Sequence, residues 1–435
     1  MIELIESLLL KNRTIVSADV NECMDICRNH YPLRLHEYAS GSDHQSWVVP
    51  PEWNVKKAEL YMNGQLLASY KHSHLFLAPY STSFKGVVSK AELLSHTYTN
   101  PNAPDAFCYE FRLAYNFQRR LKEWRITVPY NMLQAIPEDA DLFVDIEVEV
   151  KDGSLKIGEY SHGENECSFY FLSHYCHPAQ ANDGLAGVAV MLETIHQIQK
   201  KYPTPKYTYR ALIMPETIGS SIYAANESKL LDKALGAVFS EMGGADAGFQ
   251  FVHSRRGDTY IDRVFLYALK KLGKLSERCM PFRKGWGNDE LVFDSVGVNV
   301  PAVSLDRYPF AAYHTHDDNM DLVVPQRLEE TVEVLMEVVD ILEWNYIPEP
   351  VNRVPVHLSR YELYADWTYQ RDQYDTNTIL IDNLWSGLSV LDIALKFDLD
   401  VDFTRSYIDR FVTLGFVKPI PITAAYSRLT RFLSK

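Results

Sequence analysis

No stretch constrains the fold of this 435-residue chain more than CSFYFLSHYCHPAQANDGLAGVAVMLETIHQIQKKY, residues 167–202. It opens with a short apolar, aromatic-rich run, crosses a polar loop and continues with apolar residues at helical spacing. A buried strand, a loop and a helix in that order are the unit from which α/β sheets are assembled. The loop places His177 and Asp183 six residues apart, with glycines around the aspartate. Taken alone, Asp183 reads as an N-cap for the helix and His177 as an ordinary hydrogen-bonded histidine.

The same alternation runs from about residue 140 to 348. LFVDIEVEV, SLKIGEYS, KYTYRALIMPE, LGAVFSEMGG and VPAVSLD read as further strands. DRVFLYALKKLGK and PQRLEETVEVLMEVVDILEWNYI read as helices. The expected fold is α/β, a mostly parallel sheet covered by helices on both faces, and ligands in such sheets bind at the carboxyl ends of the strands. Two helices are expected in the first forty residues. A β-rich module follows, marked by an Asn-Gly turn in MNGQ. The proline-bearing IPEPVNRVPVHLSR reads as a linker, and the tail has the shape of a winged helix-turn-helix. The predicted domains are a core of 1–45 and 128–348, an insertion at 46–127 and a tail domain at 370–435.

Composition narrows the function. With 46% hydrophobic and 23% charged residues the chain reads as globular, and its length suits two or three domains. A formal charge of −14 argues against nonspecific nucleic-acid binding and against an anionic membrane surface. The tail from Thr376 carries seven basic and six acidic residues, weak for a DNA reader. No run of eighteen apolar residues is present. Six scattered cysteines without a C-x-x-C pair suit reduced thiols, and acids at the start are unlike a signal peptide, so a cytoplasmic location is expected.

Read together, the strand ends change the reading of the lone residues. His177, Glu216, Glu241 and His314 each fall where a strand gives way to a loop. A glutamate directly after a buried strand is desolvated unless a positive group meets it. An acidic chain that gathers Asp183, Glu216 and Glu241 at one sheet edge calls for a cation. Imidazole plus carboxylate without thiolate suits zinc in a catalytic site, or another first-row metal. Arg255 and Arg256 in HSRRGD could meet a substrate carboxylate or phosphate, or pair structurally with surplus acids. Asp289 and Glu290 in GWGNDELVF could hold a substrate amine or a metal, or cap a solvated loop.

CHPAQANDGLAG, MPETIGSS, SRRGDTYID, GNDELVF and YHTHDDNMD occur in this order. Together they resemble a bacterial aminopeptidase-like family of unknown function that joins a zinc-peptidase fold to an inserted β domain and a C-terminal winged helix. That family is similar in turn to the co-catalytic zinc aminopeptidases and glutaminyl cyclase. The resemblance covers nearly the whole chain. It implies that His177 binds one metal and that Asp183 bridges two. It implies that Glu241, in place of an aspartate, binds the first metal and His314 the second, with His316 an extra. Two departures stand out. The relatives carry His-x-Asp, whereas residue 179 is Ala. They carry two adjacent glutamates, whereas here the pair is Pro215-Glu216. Glu216 is then either general base or ligand. If it is the ligand, Asp289 or Glu290 becomes the candidate base.

The expected function is zinc-dependent hydrolysis of a small peptide or amide, aminopeptidase-like, with one or two ions. No nucleic-acid or membrane partner is expected, and oligomerisation would use the tail or the insertion. Two other outcomes stay open on the same residues. One is a degenerate peptidase core that binds and regulates. The other is an amide-modifying enzyme of glycan biosynthesis.

Overall fold

The computed structural model describes residues 1–430. Residues 431–435, the end of the expected tail domain, lie outside the described residues. Helices α1 (Ile2–Leu9) and α2 (Ala18–His30) open the chain, the second capped by the Ser17 side chain on Val20 N–H. Strand β1 (Arg34–Ala39) enters an eight-stranded sheet. The chain then leaves that sheet to build a four-stranded one from β2 (Glu52–Met62), β3 (Gln65–Ser69), β4 (Phe84–Val88) and β5 (Leu142–Lys151), in the order β3-β2-β5-β4.

It returns through β6 (Ser154–His162), β7 (Ser168–His174), β8 (Thr208–Met214), β9 (Ala234–Phe239), β10 (Phe249–Val252), β11 (Cys279–Met280) and β12 (Ala302–Arg307). The sheet order is β1-β6-β8-β7-β9-β12-β10-β11. Only its centre, β8-β7-β9-β12, is continuously parallel. Strands β1 and β6 on one side and β10 on the other pair antiparallel.

The insertion is larger than its expected end at 127. LFVDIEVEV reads as a core-sheet strand, yet as β5 it pairs with β2 from Glu52↔Lys151 to Met62↔Leu142 and with β4 on its other edge. Its alternating pattern suits a sheet with one buried face, and such a strand looks the same in sequence whichever sheet it joins.

Period-two alternation in β7 assigns the two faces. Phe169 and Phe171 pack with α1, α2, α3 (Gly187–Lys201), α5 (Tyr260–Lys271) and α6 (Pro325–Trp344); α4 (Ile218–Asn226) lies on the opposite face. Tyr170 and Leu172 belong to one buried cluster with Trp53, Phe76 and Tyr80 of the insertion and Ile222 of α4. The insertion therefore forms one covering layer of the main sheet rather than a separate body.

The tail folds as α7 (Arg371–Asn383), α8 (Val390–Lys396) and α9 (Val401–Thr413), followed by a strand. The stretch expected to be a linker begins as β13 (Ile347–Pro350), which pairs antiparallel with β14 (Val417–Ile420). Arg263 of α5 donates through Nε and Nη2 to the two oxygens of fully buried Asp392, at 2.7 and 3.2 Å. Tyr426 also donates to Asp392 and packs edge-on against Tyr260. The linker expectation is thus corrected: the tail is docked on the core. In α9, Asp409 accepts from Tyr346 and Arg405 lies over the Trp344 ring, so one face of this helix meets its own core.

Candidate metal centre

His174, the last residue of β7, lies on the insertion side of the sheet and stacks on Phe239. Three residues later His177 sits in the loop, which fully buried Arg13 props from below by donating to Tyr175 O and Gln180 O. The chain then winds through an irregular turn at Ala181–Ala186, where Asp183 departs from helical dihedrals. Asp318 fixes that turn by accepting from Asn182 N–H (2.8 Å) and Asp183 N–H (2.9 Å). The glycines around Asp183 are there for close approach. A Cβ on Gly184 would lie 2.6 Å from His174 O, and one on Gly187 would lie 2.1 Å from Ser240 O.

The cluster centres on Asp183. His314 Nε2 is 3.2 Å from Oδ2, while His174 Nε2 and His177 Nε2 are 3.4 and 4.0 Å from Oδ1. His174 Nε2 is also 2.7 Å from Glu241 Oε2. Three groups of converging donors result among the described residues: His174/Asp183/Glu241 and His177/Asp183/His314, the two ligand sets that share Asp183, and His174/Cys176/His177, which lacks it. Of the expected residues, His177, Asp183, Glu241 and His314 come together. His174 was missed, because it closes an apolar run and reads as strand.

The donors fit a divalent cation. Asp183 is 1% exposed, yet neither carboxylate oxygen makes a hydrogen bond, and His314 Nε2 is also without one. Buried polar atoms are almost always partnered, and a cation would satisfy this concentration of orphans on converging donor atoms. The electrostatics agree. Burial alone would raise the Asp183 carboxyl, but His177, His314 and His174 hold it well below its ordinary range. Burial, with the Asp183 charge added, pushes Glu241 well above its own. A cation stabilises both as anions.

Glu216 stands at the rim. Its side chain is 23% exposed, and Oε2 lies 3.6 Å from His177 Nε2. Burial, reinforced by the charges of Asp289 and Asp183, pushes its carboxyl up to about 7. Its backbone is held on three sides. Its N–H donates to Cys176 Sγ, its carbonyl accepts from Tyr115, and the next N–H, of Thr217, donates to Asp289 Oδ1 at 2.8 Å. Ala179, Thr217, Met242 and His314, each at or beside a site residue, all have φ between 51° and 59°. Such conformations cost roughly 1–3 kcal/mol each and persist only where surrounding contacts over-determine them.

The other expected residues take supporting positions. Asp289 also accepts from Ser220, and Glu290 accepts from Asn288 N–H; both are fully buried. Arg255 is engaged by Asp294 and Asn299, and Arg256 by Asn299 and the Arg428 carbonyl, away from the cluster. His316 accepts from Phe107 N–H through Nδ1 and joins neither ligand set. At the mouth, Tyr313 stacks on His314 (3.8 Å between centroids) and Trp286 stacks on Tyr313 (4.9 Å).

Known proteins share this architecture. A Clostridium acetobutylicum protein, provisionally named a polysaccharide biosynthesis protein with aminopeptidase-like domain, is 34% identical over 348 residues, 79% of this chain and 77% of that one. A crystal structure of a provisionally named peptidase from the same species superposes with a TM-score of 0.79 at 27% identity, over 96% of both chains. BSAP, a zinc aminopeptidase from Bacillus subtilis, shares the fold with a TM-score of 0.54 at 13% identity, over 78% of this chain and 93% of its own. The family described as domain of unknown function (DUF4910) matches residues 2–345, and the chain belongs to that family.

Proposed function

We propose that the protein is a zinc-dependent amide hydrolase, aminopeptidase-like in its chemistry. The observation that carries this reading is Asp183: buried, without hydrogen bonds on either oxygen, and faced by three imidazoles. His174, Asp183 and Glu241 would hold one ion, and His177, Asp183 and His314 a second. When bound, zinc supplies Lewis acidity that polarises an amide carbonyl and acidifies water. Glu216 takes the proton of the attacking water and returns it to the departing amine, a role suited to a carboxyl poised near neutrality beside the ligands and not among them. A cytoplasmic location is favoured by six unpaired cysteines.

The mouth favours a second substrate class. The Trp286–Tyr313 stack offers an aromatic face of the kind that sugar rings pack against. An acylated amino sugar would present its amide to the same site, in keeping with the name of the Clostridium acetobutylicum relative.

Metal analysis by plasma mass spectrometry of the wild type, His177→Ala and His314→Ala tests the reading, together with turnover of aminoacyl-amide and N-acyl-sugar panels. Zinc in the wild type and reduced zinc in both variants are expected. Equal, near-zero metal in all three after zinc-replete growth would sink it.

A further inference from the structure

The insertion crosses the cluster as well as covering the sheet. Its segment 107–116 is pinned to the loop that bears His314. Tyr109 N–H donates to His314 O (2.8 Å), His316 N–H to Phe107 O (2.9 Å), and Cys108 faces Thr315 in an isolated antiparallel bridge. This clamp sets the Tyr109 ring against both imidazoles of one ligand set, 4.7 Å from His177 and 5.2 Å from His314 between centroids. The residue is 4% exposed, and its hydroxyl has no hydrogen-bond partner among the described residues.

The neighbours make that hydroxyl informative. Phe111, from the same segment, packs on His314 with no polar atom at all. Tyr115 spends its hydroxyl on the Glu216 carbonyl at 3.1 Å. Of these three rings of the insertion, Tyr109 is the one whose hydroxyl makes no hydrogen bond among the described residues. The ring is buried, but its hydroxyl is not among the sealed, unpaired atoms, so it opens onto accessible space beside the ligand set, where a group of the substrate can meet it.

We propose that Tyr109 is a catalytic residue delivered by the insertion, its phenolic O–H donating a hydrogen bond to the scissile carbonyl oxygen as that oxygen gains negative charge. The inference rests on the amide-hydrolase reading above. Water adds its oxygen to the carbonyl carbon and gives one proton to Glu216. The C–N bond then breaks, and the amine leaves with that proton. Tyr109 keeps its own proton throughout and acts only as a donor, as in an oxyanion hole.

Tyr109→Phe in the zinc-loaded full chain is the test, because it removes one oxygen atom and keeps the ring. Zinc content and melting temperature should match the wild type. Binding of leucine phosphonic acid, a tetrahedral anion, should weaken tenfold or more by calorimetry. On leucine p-nitroanilide, kcat should fall by about a hundredfold or more with KM little changed, the scale for losing one such donor. Tyr109→Leu, which also removes the ring, should lose at least as much. Unchanged phosphonate affinity and kcat in Tyr109→Phe, with zinc intact, would overturn the role of Tyr109 and leave the hydrolase reading standing. A zinc-loaded wild type that neither binds the phosphonate nor turns over any amide or N-acyl sugar would overturn both.

Discussion

Glu216 lies 3.6 Å from His177 and belongs to neither ligand set, and this placement separates its two candidate roles. As general base it needs its carboxylate but not a bond to the ion. Glu216→Gln should therefore keep zinc and lose activity by roughly a hundredfold or more. Zinc content and kcat measured on one preparation decide the matter; loss of both would make Glu216 a ligand. The convergence of His177, Asp183, Glu241 and His314 was legible in the sequence because each follows a recognisable strand, and strand ends share an edge. His174 was hidden in an aromatic run, and Arg13, Asp318 and Tyr109 act on the site from far along the chain. The role of HSRRGD was illegible for the same reason. Its partners Asp294 and Asn299 lie about forty residues away, so the local pattern could not distinguish a substrate site from a structural one.

The strands of the sheet's antiparallel edge are tied by a charge cluster. Glu159 of β6 bonds His36 of β1 at 2.7 Å and Arg210 of β8, with Glu159 2% exposed. Burial would raise the Glu159 carboxyl, but His36 and Arg210 overcome it and hold the group below its ordinary value. A carboxyl depressed in the folded state contributes stability above its unfolded pKa of about 4.3, and that contribution is lost as pH falls through the folded value. The stability gap between wild type and Glu159→Gln should be largest near pH 7 and shrink on acidification below about pH 4. Thermal melts across pH 3–7 check this; a gap that widens in acid would show that the cluster acts differently. Elements were legible where the helical period was clear, as in α5, read from DRVFLYALKKLGK; its Thr259–Asp262 capping box, which starts the helix two residues earlier, was not. Sheet membership was not, because β5 carries the same alternation in either sheet and only pairing with β2 settles it.

At the scale of the molecule, the tail is bound to the body by groups that cannot be removed singly without cost. Arg263 is 6% exposed and Asp392 is 0% exposed, and the pair sits between α5 and α8. Arg428 adds bonds to the carbonyls of Leu231, Asp232 and Asn299, and β13 pairs with β14. The segment between β13 and α7 is nevertheless exposed at Val351, Val354, Trp367 and Tyr369. A protease should therefore nick residues 351–370, as the proline-bearing sequence suggests, yet the two pieces should still elute together on gel filtration. Asp392→Ala removes the carboxylate that meets Nε and Nη2 and leaves Arg263 its contacts with Asp258, and breaking a comparable buried pair costs up to about 3–5 kcal/mol. The nicked variant should release the tail where the nicked wild type does not. Release from the wild type would mean that the interface between α5 and α8 does not hold in solution, and that the tail is the separable domain its sequence first suggested.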